Sequence, residues 1–355
     1  MRCIIVSDAW TPQINGVVRT LTQLKAELES RGHEIITITP NLFKTIPCPT
    51  YPEIRLSLFA GKKVMQMIEE ARPSAIHIAT EGPLGMTARR YCIKNNIPFT
   101  TAFHTLFAEY VKARTMLPLS VGYAFLKWFH KPSKCLMVAT PTLEKSLTAR
   151  GFNNIKRWSR GIDISLFYPR EKQLQDLPRP IFMYVGRVAV EKNIEAFLKL
   201  NLPGSKVVVG DGPQRAMLEE KYPKAYFLGM KEGEELAEHY ASADVFMFPS
   251  RTDTFGLVLL EALASGVPVA AYPVTGPLDV IGEAPVGVLD EDLERAAHKA
   301  LKLDPKSCRD FALNYTWEKS ADQFFSNLAP FDPSRWSQKN TQNQPKRKEI
   351  LGPNS

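Results

Sequence analysis

Short β-branched runs and helix-period segments alternate along most of the chain. Strands are expected at 3–6, 34–39, 75–78, 99–102 and 136–139, with helices at 17–30, 83–95 and 142–150. Within 17–30 the apolar residues Val17, Leu21, Leu24 and Leu28 recur at helical spacing, and Gly32 stands just past the end. After residue 180 the pattern starts again. Strands are expected at 181–185, 206–209, 225–228, 245–248 and 267–270, and helices at 194–200, 213–221, 232–241 and 256–265. Such alternation predicts an α/β architecture of two doubly wound Rossmann-like domains, over 1–163 and 181–310. Residues 164–180 hold Pro169, Pro178 and Pro180 among few apolar residues and read as the linker. Helical patterns at 290–302, 305–313 and 316–328 follow. Beyond Pro330 the chain turns polar, so 330–355 is expected to form a disordered basic tail.

A length of 355 residues fits two domains, each large enough for its own core. With 44% hydrophobic and 23% charged residues, the composition excludes global disorder, collagen-like repeats and coiled coil. The longest apolar runs are of strand length, far short of the ~20 residues of a membrane-spanning helix, and no export signal is expected. Cys3, Cys48, Cys92, Cys135 and Cys308 are scattered and form no C-x-x-C pair, which favours a reduced, cytoplasmic chain without structural zinc. The histidines show no metal-ligand spacing, and the triplet Asp290-Glu291-Asp292 reads as a helix cap, so no metal site is expected.

The net charge of +8 is unevenly spread. Residues 1–163 hold 22 Lys and Arg against 11 Asp and Glu, whereas residues 164–330 hold 18 against 24. A basic first half predicts a polyanionic partner, either nucleic acid or anionic lipid.

In doubly wound sheets ligands bind beyond the carboxyl ends of the strands. The segment VGRVAVEKN, 185–193, places Arg187 and Lys192 between a strand and a helix. A fork of donors and a mobile point charge suit a diphosphate; two solvated basic residues beside a loop would look the same. VGDGP, 209–213, is turn chemistry and misses the G-x-G-x-x-G dinucleotide fingerprint. In PSRTDTFGLVLLEALASG, 249–266, a polar loop carries Asp253 and a helix begins near Phe255-Gly256. Glycine there admits close approach of a ligand, and the helix N-terminus offers free N–H groups to a phosphate. Asp253 and Glu261 are placed to accept hydrogen bonds from sugar hydroxyls. Alternatively, Asp253 and Thr254 cap the helix and Glu261 lies on a solvated face. Glu261 is embedded among Leu257, Val258, Leu260, Ala262 and Leu263, and a charge so placed calls for a partner.

Together these residues resemble the retaining nucleotide-sugar glycosyltransferases of family four, whose two Rossmann-like domains face a cleft in the GT-B fold. Asp253 and Glu261 match the family's carboxylate-x7-Glu element, and Gly186, Arg187, Glu191, Lys192 and Asn193 match its Gly-Arg…Glu-Lys-Asn loop. Asn15-Gly16 fits the first loop and Gly161-Ile162-Asp163 the domain boundary, so the likeness spans 1–329. The first acidic position is usually Glu; Asp253 is one methylene shorter, and this variant resembles the branch that includes glycolipid synthases.

The resemblance implies a nucleotide-diphosphate sugar as substrate, with no cofactor and no metal. Arg187 and Lys192 would hold the diphosphate and stabilise it as it leaves. The stretch Thr254, Phe255, Gly256 and Leu257 would bind the donor, Glu261 its ribose and Asp253 the transferred sugar. Gly16 would let the first loop close over the phosphates. His104, in TAFHT at the end of a first-half strand, would lie near the reacting carbon. Retention without a side-chain base is implied, as is a terminal helix at 311–329 packing back on the first domain.

The segment 110–131 interleaves Tyr123, Phe125, Trp128 and Phe129 with Lys112, Arg114, Lys127 and Lys131. Rings beside cations suit an anionic lipid headgroup layer, with Lys112, Arg114, Lys127, Trp128, Phe129 and Lys131 as the contacts. An amphipathic helix with its rings in the core fits the same pattern. Nucleic acid finds no support in the donor-site motifs. The favoured function is transfer of a sugar, UDP-linked by preference, to a membrane lipid such as diacylglycerol at the cytoplasmic face. A GDP-mannose- or UDP-sugar-dependent transfer to a surface polysaccharide is the first alternative, and non-catalytic nucleotide-sugar binding the second.

Overall fold

The computed structural model describes residues 1–13, 15–48, 51–104, 118–251, 253 and 255–336. The first domain runs β1 (Arg2–Val6), α1 (Gly16–Ser30), β2 (Glu34–Ile38), the hairpin β3 (Thr45–Cys48) and β4 (Tyr51–Ser57), α2 (Gly61–Ala71), β5 (Ala75–Ile78), α3 (Pro83–Lys94), β6 (Thr100–Phe103), α4 (Leu119–His130), β7 (Cys135–Val138), α5 (Pro141–Ala149) and β8 (Ile155–Arg157). The second runs β9 (Ile181–Val185), α6 (Ile194–Leu198), β10 (Ser205–Val209), α7 (Arg215–Lys221), β11 (Tyr226–Gly229), α8 (Gly233–Ser242), β12 (Val245–Phe248), α9 (Leu257–Ala264), β13 (Val269–Ala271), α10 (Thr275–Val280), β14 (Gly287–Leu289), α11 (Leu293–Ala300) and α12 (Pro305–Ala312). A last helix, α13 (Trp317–Asn327), follows.

Each domain is built on a six-stranded parallel sheet, ordered β2-β1-β5-β6-β7-β8 in the first and β11-β10-β9-β12-β13-β14 in the second. The central strands β5, β6, β7, β9 and β12 are buried throughout, which is why β7, β9 and β12 read as unbroken apolar runs, while β5 and β6 bury His77, Thr100 and Thr101 among apolar neighbours. Strand order reverses between β1 and β5 in one sheet and between β9 and β12 in the other. The loops leaving β1, β9 and β12 therefore flank the crevices where such sheets take ligands.

The chain crosses between domains twice, and the crossings pair. Ile162 donates its N–H to the Tyr315 carbonyl at 3.0 Å and bridges Thr316. Gly161 is fixed by this contact, because a Cβ there would strike the Trp317 backbone at 2.5 Å. The prolines of 164–180 do not leave a bare tether: Phe167 is fully buried, and Ile164, Leu166, Leu174 and Leu177 pack on the second core.

α13 returns to the first domain, where Ala321 and Phe324 join the core formed by Cys3, Ile5 and Leu24. The expectation of disorder from 330 is corrected for its first residues. Phe331 N–H bonds to Ser74 O, Trp336 is buried, and its Nε1 donates to Pro73 O at 2.9 Å. Burial of a tryptophan outweighs the polar character of the residues around it. The rest of the expected tail lies outside the described residues.

Candidate functional site

The loop after β9 is shaped by Gly186, at φ +147°, and by the Tyr184 hydroxyl, which donates to the Arg187 carbonyl at 2.9 Å. A single 3-10 turn over Val190–Lys192 follows, and Asn193 opens α6 in the left-handed region. The Asn193 side chain donates to Pro249 O at 3.1 Å, tying this loop to the one leaving β12. The tie brings Lys192 Nζ to 2.5 Å from Asp253 Oδ1. The second carboxylate oxygen, Oδ2, is buried and has no hydrogen-bond partner among the described residues. A buried oxygen of that kind is an acceptor in want of a donor.

Gly256 is the N-cap of α9 at φ +82°, and no side-chain cap bond is made from that position. Among the described residues the Asp253 side chain pairs with Lys192, beside the first turn of α9. Thr254 lies outside the described residues. Phe255 is buried, and Leu257 packs on the same core. Across the cleft, Asn15 caps α1 by accepting from Val17 and Val18 N–H at 3.0 Å. A Cβ on Gly16 would lie 3.9 Å from Leu257 Cδ1, so the N-termini of α1 and α9 meet there.

Glu261 is only 1% exposed, so the solvated-face alternative fails. Its partners are Arg19, which forms an ion pair with Oε1 from the other domain, and the Tyr240 hydroxyl, which donates to Oε2 at 2.7 Å. Burial and the neighbouring carboxylate push the Tyr240 hydroxyl well above its ordinary pKa, keeping it a donor. The sequence reading missed both partners. Arg19 did carry a signal: it follows Gly16 by three residues on one helix, so the two share a face.

His104 follows β6 and takes its position from a different set of residues. Its Nδ1 lies 3.2 Å from Arg160 Nη2, and its ring meets Trp158 edge-on at 5.6 Å. Burial, then the Arg160 charge, hold this imidazole well below its ordinary pKa. The first domain thus brings Gly16, Arg19 and His104 to the candidate site, and the second Lys192, Asp253 and Glu261.

Among the described residues no group of three or more His, Cys, Asp or Glu could hold a metal ion. Asp292 caps α11 by accepting from Arg295 N–H at 3.0 Å, and Asp290 pairs with Arg295.

In the basic segment, Lys112 and Arg114 lie outside the described residues. Lys127 and Lys131 are exposed, and Trp128 is 49% exposed beneath the guanidinium of Arg89 at 3.9 Å. Phe129 is corrected: it is fully buried in the first core and cannot meet a surface. The helix turns Leu126, Phe129 and His130 inward, three and four residues apart, leaving Trp128 outside. No helix among the described residues is long and apolar enough to cross a membrane.

Residues 14–166 match the family described as Glycosyltransferase Family 4, and 179–303 match that described as Glycosyl transferases group 1. A GDP-mannose-dependent alpha-mannosyltransferase of Mycobacterium tuberculosis is 30% identical over 318 residues, covering 81% of this chain and 83% of its own. An alpha-monoglucosyldiacylglycerol synthase of Acholeplasma laidlawii is 29% identical, covering 76% and 79%. Among solved structures, a sucrose-phosphate synthase from Thermosynechococcus elongatus superposes with a TM-score of 0.73 at 22% identity, over 92% of this chain and 97% of that one. With its two parallel-sheet domains, the chain belongs to glycosyltransferase family four and is a glycosyltransferase of GT-B fold.

Proposed function

We propose that the protein is a retaining, metal-independent hexosyltransferase that moves a sugar from a nucleotide diphosphate, UDP by preference, to a membrane lipid such as diacylglycerol. The observation that carries this reading is the Lys192–Asp253 pair. It sets a cation beside a carboxylate whose other oxygen is buried and, among the described residues, unpartnered, close to the start of α9. A sugar hydroxyl would satisfy Oδ2 of Asp253, while Lys192 and Arg187 face the diphosphate.

In the reaction the bond between the anomeric carbon and the diphosphate oxygen breaks. The acceptor hydroxyl oxygen bonds to that carbon from the same face, and its proton passes to the leaving phosphate oxygen. Arg187 and Lys192 neutralise the charge that builds there, the part a divalent cation plays at other diphosphate sites. Glu261 takes the ribose hydroxyls as Arg19, the partner reached by solvent, swings aside. His104 contacts the transferred sugar from the first domain.

The glycolipid synthase among the relatives supports a lipid acceptor, and exposed Lys127, Trp128 and Lys131 suit anionic headgroups. The enzyme would then act peripherally, on the cytoplasmic face. The mannosyltransferase relative favours a second reading, with GDP-mannose as donor and a saccharide as acceptor. Labelled UDP- and GDP-sugars offered with diacylglycerol vesicles and soluble saccharides separate the two. Label in the lipid supports the first, label in a saccharide alone selects the second, and no transfer leaves a nucleotide-sugar-binding protein.

A further inference from the structure

Arg160 is 5% exposed and, among the described residues, has no carboxylate partner. Its donors go to Trp158 O at 2.8 Å and to His104 Nδ1 at 3.2 Å, and its guanidinium lies 4.4 Å from the centre of the Trp158 ring. Burying a cation among neutral partners is costly, so stability alone does not account for it.

A guanidinium has five N–H donors and nothing with which to accept. Nδ1 of His104 is therefore the acceptor, and the neutral ring carries its proton on Nε2. Among the described residues, the basic groups facing this ring oppose a second proton. They are Arg160 beyond β8, His77 on β5 and His130 on α4, the last lying 3.1 Å from Glu81.

We propose that Arg160 is a positioning residue that locks His104 as the Nε2-protonated tautomer, so that His104 meets the transferred sugar as a hydrogen-bond donor and not as a base. The second half of this statement rests on the reading above that His104 contacts the sugar. Arg160 directly precedes Gly161, so the lock sits where the chain crosses between domains.

The test uses the full-length protein labelled with 15N-histidine, with the His104 signals assigned by their loss in His104→Gln. In the wild-type protein His104 should show an unprotonated Nδ1 and a protonated Nε2, unchanged from pH 8 to pH 6. In Arg160→Gln the ring should populate both tautomers, and kcat should fall on the order of 10- to 100-fold while the donor KM stays within about twofold. Arg160→Lys, which keeps a cationic donor, should recover part of that loss. A protonated Nδ1 in the wild-type protein overturns the proposal, and this arm needs no variant of Arg160 to fold. Wild-type tautomer and kcat in folded Arg160→Gln overturn it as well. Full transfer by His104→Gln would instead remove the sugar contact, while the tautomer assignment stood on its spectrum.

Discussion

In the second domain the site residues fall in two short loop–helix segments that adjacent strands bring together. Arg187 and Lys192 leave β9, Asp253 leaves β12, and Glu261 follows on the next helix. In the first domain the corresponding residues are scattered. Gly16 and Arg19 open α1, His104 ends β6, and Arg160 lies beyond β8, close to His104 only because the sheet runs β6-β7-β8. Charge differs in the same sense. The acidic half sets Arg187 and Lys192 on one loop, while the basic half spreads its cations between the cleft, a buried histidine cluster and an outer surface. A nucleotide diphosphate can be gripped by local loop–helix signatures, whereas a second substrate is met by what tertiary packing brings together.

The largest effect expected from this contrast is on the donor side. Lys192→Ala should lower kcat about 10²- to 10³-fold, a barrier rise of about 3–4 kcal/mol, with little change in melting temperature. A near-wild-type rate in a steady-state transfer assay would remove Lys192 from the reaction.

The next sits on the seam between the halves. Arg19→Met strands the buried Glu261 carboxylate and should cost about 2 kcal/mol in urea melts, less than for a fully buried pair because solvent reaches Arg19. Glu261→Gln keeps an acceptor for Tyr240 and should cost less. A double variant no more damaged than Arg19→Met alone would establish the coupling; strict additivity would deny it.

A similar effect belongs to the first domain alone. His77 is fully buried, and burial and Arg160 hold its pKa down at about 3. Between that value and the ordinary 6.5 the unfolded chain binds a proton that the folded chain does not. The contribution is therefore complete above pH 6.5 and is lost as pH falls, at about 1.4 kcal/mol per unit. Asp8, raised by burial to about 6, acts oppositely, adding stability as pH falls from about 6 toward 3.8. His77→Asn should abolish about 2 kcal/mol of acid destabilisation between pH 7 and pH 5. Trp158 packs against His77, so its fluorescence can follow the transition. An unchanged pH slope would refute the assignment.

The smallest effect is at the outer surface. Lys127→Ala or Lys131→Ala should weaken sedimentation with anionic vesicles about fivefold each, near 1 kcal/mol, with the loss fading at high salt. Equal binding to neutral vesicles would break the link between the basic half and a membrane.

Legibility in the sequence follows the same division. Buried central strands, Gly-ended helices and the loop–helix signatures of the second half depend on neighbours in the chain, and spacing exposes them. α2 went unread because it opens on Ala60 without a side-chain cap. The hairpin β3–β4 lies outside both parallel sheets, and its edge carries Pro47. Arg160 and Tyr240 carry no local signal, since their partners arrive from 56 and 21 residues away. Phe129 was misplaced for a different reason. Its segment mixes rings and cations, and only the 126, 129, 130 spacing distinguishes it from Trp128.

The central claim, as proposed above, is that the acidic domain grips a nucleotide sugar and the basic domain presents the lipid that accepts its sugar as the nucleotide diphosphate leaves. It is tested most directly by incubating the full-length protein with labelled UDP-sugars, diacylglycerol in anionic vesicles and a soluble saccharide panel together. The account predicts label in the lipid phase, lost with Lys192→Ala. Label confined to a soluble saccharide, or lipid transfer that survives Lys192→Ala, would contradict it.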